Sequence, residues 1–236
     1  MSDPFPRIHI LQHVSFEGPG FIADWILRHQ HGHTCCCLSA GDQLPEIYTF
    51  DWLIIMGGPM GIYDETDYPW LKAEKQFIRK AIDNNKILIG FCLGAQLLSD
   101  ALGARVHSEQ QPEIGWYPVF QTDEGFSDPW IQNFPSGKYF FHWHSDQFAI
   151  PRGAVHLFRS EACLSQGFRY GNHIFAFQFH PEITPTGLES LLSHCPIEAD
   201  QTRPFIQTVA EINQLKNHHT DGNDFLAGLL ESLLHR

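Results

Sequence analysis

The sequence predicts an α/β fold of three layers, αβα, in which helices cover both faces of a mostly parallel sheet with antiparallel additions. Three observations predict it. Residues 52–56 (WLIIM) and 86–91 (KILIGF) are continuous apolar runs, the pattern of strands buried on both faces. Segments with apolar residues at helical spacing alternate with them, as a parallel sheet with crossover helices requires. Beyond Arg105 the texture changes to short strand-like runs divided by turn residues, which suits antiparallel strands added to the same sheet.

In chain order, 7–14 (RIHILQHV) reads as the first strand and 20–30 (GFIADWILRHQ) as a helix with Phe21, Trp25 and Ile26 on one side. A short buried run at 34–38 and a loop at 41–48 lead to the strand 52–56, which ends in Gly57-Gly58-Pro59. A helix of mixed charge is expected at 68–84, the strand at 86–91, and a helix at 95–102 that Gly103 stops. Strands are expected at 115–122, 138–150, 154–161, 164–170 and 174–180, and helices at 186–194, 203–215 and 223–235. In the last of these Phe225, Leu226, Leu229, Leu230, Leu233 and Leu234 form an apolar stripe, the mark of a docked terminal helix. No polar or Pro/Gly-rich linker divides the chain. One domain over 1–236 is therefore expected, with a motif-bearing body at 7–182 and a helical segment at 183–236.

With 43% hydrophobic residues, the 236-residue chain can fill a core, which excludes a disordered or coiled-coil protein. Its 15 Lys+Arg against 27 Asp+Glu leave a net charge of −12, which repels phosphate backbones and anionic lipid. Neither nucleic acid nor a membrane is an expected partner. There is no run of about 18 apolar residues, and Asp3 with Pro4 and Pro6 spoils a signal peptide. Cys35, Cys36 and Cys37 are consecutive, so on a strand they point to opposite faces, and no C-x-x-C pair exists. Free thiols in a reducing, cytoplasmic compartment follow as the expectation.

Three stretches carry chemistry. In Gly90-Phe91-Cys92-Leu93-Gly94 a cysteine sits at a strand-to-helix turn with glycine two residues to either side. Small flanking residues permit a strained turn that projects the side chain, and the helix start aims N–H groups and its positive end at the sulfur. Both favour thiolate and predict a lowered pKa. In His180-Pro181-Glu182, an extended backbone puts both ionisable side chains on one face, so that Glu182 can hold one imidazole nitrogen while the other faces Cys92. Gly57-Gly58-Pro59-Met60-Gly61 is a glycine-rich turn at a strand's carboxyl end without the spacing of a phosphate-binding loop. Its N–H groups could stabilise an oxyanion, with Gly58 opposing Leu93, or it could be a plain tight turn.

Together, the G-G-P turn, the G-x-C-x-G-x-Q elbow and the late H-P-E resemble the class I (triad-type) glutamine amidotransferase family, in the same order. The resemblance runs from about Arg7 to Glu182. It is nearest the free-standing proteins similar to the glutaminase domain of GMP synthase, through GGPMGIYDE, EIGW (Glu113 to Trp116) and FHWHSDQF (Phe141 to Phe148). It implies a flavodoxin-like fold and the catalytic residues Cys92, His180 and Glu182, with Gly58 and Leu93 as oxyanion donors. It implies further that Gln96 and the backbone around Trp143 and His144 bind glutamine. The reaction it implies passes through a γ-glutamyl thioester, releases ammonia and needs no cofactor. A synthase that accepts the ammonia is the implied partner.

Two departures stand out. Ser145 replaces a glycine common in the family, which would be strained if the position needs positive φ. These residues carry no counterpart of the synthetase half of GMP synthase, so GMP synthesis by this chain alone is not expected. His142, His144 and Asp146 share a strand face and could ligate a metal, but the expectation is that no metal is held. Besides a glutaminase, a γ-glutamyl peptidase acting on glutathione-like peptides would use the same thioester, and a non-catalytic glutamine-binding subunit would have lost a triad member.

Overall fold

The computed structural model describes residues 6–197 and 203–235; Asp3, Pro4 and the extreme ends of the expected 1–236 domain lie outside the described residues. The chain runs β1 (Ile8–Gln12), α1 (Phe21–Arg28), β2 (His33–Cys37), β3 (Trp52–Ile55), α2 (Trp70–Asp83), β4 (Ile87–Phe91) and α3 (Leu93–Ala101). It continues through β5 (Val106–Gln121), α4 (Asp123–Phe126), β6 (Lys138–Phe148), β7 (Val155–Arg159), β8 (Gly167–Tyr170) and β9 (Ile174–Phe177). Three helices follow: α5 (Pro185–His194), α6 (Val209–Leu215) and α7 (His219–Leu234).

The strands form one sheet in the order β2-β1-β3-β4-β9-β8-β7-β5-β6. β2, β1, β3, β4 and β9 pair in parallel, and every pairing from β9 outward to β6 is antiparallel. Alternation along each strand divides the apolar side chains between two faces. Ile10, Ile54, Ile89 and Phe175 pack with Ile22, Trp25 and Ile26 of α1 and with Leu226 and Leu230 of α7. Leu11, Leu53, Ile55 and Leu88 pack on the other face with Ile78 of α2 and Leu97 and Leu98 of α3. Each such side chain is fully buried and contributes about 1.5–3 kcal/mol. Trp116, Phe141, Leu188 and Ile212 close a third cluster between the β5–β6 pair and α5 and α6. Among the described residues, no helix is long and apolar enough to cross a membrane.

Several expected elements differ. The run at 34–38 is only partly buried: 34–37 belong to β2 at the sheet edge, where only Cys36 is buried within the strand, and Leu38 just beyond it is buried as well. The strand expected at 115–122 begins at Val106, because β5 continues as a ribbon with β6 through a polar segment and a bulge between Ser108 and Glu113. The helix expected at 203–215 starts at Val209, where Thr208 and Glu211 form a capping box that satisfies its first N–H groups. α3 begins at Leu93 rather than at residue 95.

Two close approaches set the geometry of the site. A Cβ on Gly94 would fall 2.2 Å from the Ile55 carbonyl oxygen, and one on Gly90 would fall 2.6 Å from the Gly94 backbone. The two glycines thus let α3 start directly against β3. At the far side of the sheet, Phe21 N–H donates to the Glu182 carbonyl (2.9 Å), and the Asn223 amide of α7 donates to the carbonyls of Pro181 (2.9 Å) and Ile183 (3.1 Å). The terminal helix therefore holds the H-P-E segment in place. Gly94→Ala should cost about 1–3 kcal/mol through overpacking, read as a lower denaturation midpoint at unchanged m. Gly228→Ala, on the exposed face of α7 with open space around it, should be neutral or stabilising by up to about 1 kcal/mol.

Candidate active site

Cys92 stands between β4 and α3 with φ 48° and ψ −107°, one of three non-glycine residues with positive φ among those described. Such a backbone is maintained only where the surroundings over-determine it. Here Cys92 N–H donates to the Phe177 carbonyl (2.8 Å) across to β9, while Gly90 and Gly94 remove the side chains that would clash. The side chain is buried, not at a surface turn, and its Sγ donates to the Trp143 carbonyl at 3.6 Å.

The thiol also lies beside His180, although 88 positions separate the two in sequence: a Cβ on Gly57 would touch both. His180 follows β9, and its N–H donates to the Phe141 carbonyl of β6 (2.8 Å). Its Nδ1 meets Glu182 Oε1 at 2.7 Å, and both side chains are buried. Burial pushes the Cys92 thiol up, whereas His180 pulls it down. The expectation of a lowered pKa from the elbow and helix start is thus corrected: desolvation outweighs them. Burial also disfavours charged His180, yet the negative charge of Glu182 and the bond to Cys92 raise it well above its ordinary value.

The turn after β3 closes over the sulfur. A Cβ on Gly57 would lie 3.6 Å from Cys92 Cβ and 3.3 Å from His180 Cε1, and one on Gly58 would lie 3.1 Å from Leu93 Cδ2. Gly58 and Leu93 are therefore neighbours, and Leu93 opens α3, where first-turn N–H groups have no helical acceptor. Two supporting groups escape sequence reasoning. His13 Nδ1 bonds the Gly57 carbonyl (2.9 Å) and its Nε2 bonds Glu74 Oε1 (2.8 Å), both side chains being inaccessible. Glu17 places a third carboxylate beside Gly57, and burial raises its pKa against the pull of His180. No local motif marks them, because β1, α2 and the loop after β1 meet only in the fold.

A cavity of about 580 Å³ opens onto Cys92 and His180, lined also by Glu17, Gly58, Asp64, Gln96, Trp143, His144 and Asp146. Gln96 is buried at its wall, its Nε2 donating to the Asp146 carbonyl and to Gln178 Oε1 (3.2 Å each). Ser145 also lines the cavity and has no positive φ, so the serine carries none of the strain that the missing glycine suggested. His142 and His144 are buried, but Asp146 does not join them: Glu113 from β5 does. Burial holds His142 well below its ordinary value and pushes Glu113 up to about 7.

The His13–Glu74 pair yields a stability prediction. Against the opposing effect of burial, Glu74 raises His13 above its ordinary 6.5. Its stabilisation is complete below pH 6.5 and is lost as pH rises through the raised value. Glu74→Gln should cost about 3–5 kcal/mol at neutral pH. It should also reverse the sign of this contribution, since a buried His13 without its carboxylate loses stability as pH falls below 6.5. Urea denaturation of both proteins from pH 5 to 9 measures the two slopes.

Residues 31–199 match the family model described as glutamine amidotransferase class-I. The glutamine amidotransferase-like protein YfeJ of Salmonella typhimurium is 36% identical over 212 residues, covering 87% of this chain and 89% of that one. A glutamine amidotransferase structure from Thermotoga maritima superposes with a TM-score of 0.87 at 28% identity, covering 98% of each chain. A glutamine-hydrolysing GMP synthase subunit from Sulfolobus acidocaldarius is 26% identical over 162 residues, 67% of this chain and 82% of that one. The αβα sheet order, the match over most of the chain and these relatives agree: the chain belongs to the class I glutamine amidotransferase family.

Proposed function

We propose that this protein hydrolyses the side-chain amide of glutamine through a γ-glutamyl thioester on Cys92. The observation that carries the reading is one juxtaposition: a strained, buried Cys92 beside His180, and His180 Nδ1 at 2.7 Å from Glu182. Cys92 and His180 share one proton, and Glu182 favours its residence on the imidazole. The sulfur attacks the amide carbon, and the developing oxyanion is met by the N–H groups of Gly58 and Leu93. His180 then gives its proton to the departing nitrogen, releasing ammonia. Water attacks the thioester with His180 as base, returning the thiol and freeing glutamate.

Gln96 and the backbone at Trp143 and His144 would hold the amino-acid end of the substrate, while Glu17, Asp64 and Asp146 give the cavity negative charge that suits an α-ammonium. The glutamine-hydrolysing name of the Sulfolobus GMP synthase subunit supports a similar division of labour here, with a separate synthase accepting the ammonia. The six free cysteines suit the reducing cytoplasm. A second reading, a γ-glutamyl peptidase, draws support from the cavity volume of about 580 Å³, mid-range for small-molecule sites and roomy for one amino acid. The intact Cys92, His180 and Glu182 weigh against a non-catalytic glutamine-binding subunit.

Cys92→Ala should abolish turnover and remain folded, since it removes only one sulfur. His180→Asn should lower kcat by about 10²–10⁴-fold, and Glu182→Gln by less. Near-native turnover in His180→Asn would refute the triad. The purified protein should hydrolyse glutamine slowly, because a partnered amidotransferase completes its site on docking. The comparison is kcat/KM for glutamine against γ-glutamyl peptides. A ten-fold preference for peptides, about 1.4 kcal/mol of transition-state binding, would replace the amidotransferase reading with the peptidase.

A further inference from the structure

Beneath the rim formed by Trp143 to Ser145, the β5–β6 ribbon encloses a polar cluster that the amide chemistry does not use. Glu113 comes from β5, and His142 and His144 from β6, two positions apart and therefore on one face. All three side chains are at most 1% exposed. Their facing atoms form a triangle: His142 Nδ1 to His144 Nε2 is 3.4 Å, His144 Nε2 to Glu113 Oε2 is 3.5 Å, and His142 Nδ1 to Glu113 Oε2 is 3.8 Å. A zinc ion about 2.0–2.1 Å from each of three ligands in tetrahedral geometry needs edges of about 3.3–3.4 Å, whereas adjacent ligands of an octahedral ion at that distance stand only about 3.0 Å apart. The observed edges suit the tetrahedron.

The outward nitrogen of His144 fits as well: its Nδ1 faces Glu109 Oε2 at 3.2 Å, whereas His142 Nε2 has no hydrogen-bond partner. A carboxylate behind an imidazole is the arrangement that fixes the tautomer and orientation of a ligating histidine. The cluster also carries polar atoms that the protein alone leaves without hydrogen bonds: both oxygens of Glu109, Glu113 Oε1, Gln166 Oε1 and the outward nitrogens His142 Nε2 and His144 Nδ1. Such orphans are costly in a buried setting, and a bound cation offsets them. The Gln166 amide caps the triangle, its Nε2 donating to Glu113 Oε2 at 2.6 Å and lying 3.4 Å from His142 Nδ1 and 3.5 Å from His144 Nε2, while Ser160 Oγ also donates to Glu113 Oε2 at 2.9 Å. A bound ion would take the place of the Gln166 donation, and the amide, turned end for end, would then present its oxygen to the ion.

We propose that Glu113, His142 and His144 bind a tetrahedral divalent zinc ion that fixes the β5–β6 ribbon under the glutamine-binding rim. This departs from the expectation that the chain holds no metal. The ion lies behind the rim and touches no reacting atom; its effect on the site is positional, through the Trp143 carbonyl that accepts from Cys92. Glu109 stands in the outer shell, and Asp146, which the strand pattern grouped with the two histidines, takes no part.

The test reads metal rather than turnover. Protein stripped with a chelator and dialysed against equimolar zinc should hold one ion per chain by elemental analysis. Cobalt(II) in its place should give the intense visible absorption of a tetrahedral ion, and X-ray absorption should find two imidazoles and no sulfur. Glu113→Gln and His142→Gln should each weaken cobalt binding at least ten-fold, while Cys92→Ala binds as the parent does. Should either ribbon variant fail to fold, the stripped parent decides the matter: equimolar zinc should raise its Tm. A parent that takes up no ion, or whose ion carries a sulfur ligand and so sits with Cys163, Glu109 and Glu113 or at another thiol, overturns the proposal.

Discussion

The approach of α3 to β3 governs the rest of the site. Gly94 lies so close to the Ile55 carbonyl that no Cβ fits between them, and this contact places the helix start directly at the end of β4. Cys92 must then take a positive φ, at a cost of about 1–3 kcal/mol. The sheet sustains that cost because Ile89, Phe91 and Leu93 on either side of the turn are fully buried and because Cys92 N–H is tied to β9. Strain, burial and orientation of the sulfur are thus one constraint, expressed at three levels.

Burial has an electrostatic consequence. A sulfur at the head of a helix would ordinarily be the easier to ionise, but one enclosed by the 57–61 turn, Trp143 and His180 is desolvated, and its pKa rises. The charge that opposes this comes from His180, held cationic by Glu182. Two further carboxylates press on the same region: Glu17 beside Gly57, and Glu74 through His13 behind the Gly57 carbonyl. The site therefore resembles an alternating chain of acids and imidazoles more than an isolated pair. Its two histidines sit at the junctions.

The fold is legible in the sequence where the physics is local. The apolar runs of β3 and β4, the glycines around Cys92 and the proximity of His180 to Glu182 all follow from residues within a few positions of each other. The exposure of β2 is not legible, because apolar character in 34–38 does not reveal that the strand lies at an edge. The first half of β5 is hidden because SEQQPE is polar, and its ribbon is stabilised by pairing with β6 instead of by a core. Glu17 and the pairing of His13 with Glu74 leave no trace in the sequence, and of the polar cluster only the shared face of His142 and His144 is legible, not their meeting with Glu113. Each meets its neighbours through topology, across separations that no motif spans. The direction of the thiol pKa is hidden for the same reason, since burial is a property of the assembled site.

The dependence of Cys92 on His180 is the most direct point of test. The measurement is the rate of Cys92 alkylation by a small neutral reagent as a function of pH, in the parent and in His180→Asn, with intact mass identifying the modified thiol. If His180 supplies the charge that counters burial, the variant's inflection moves to higher pH, because desolvation then acts unopposed. An inflection that stays where it is in the parent would mean that the elbow and helix start alone set the thiol, and would contradict the account.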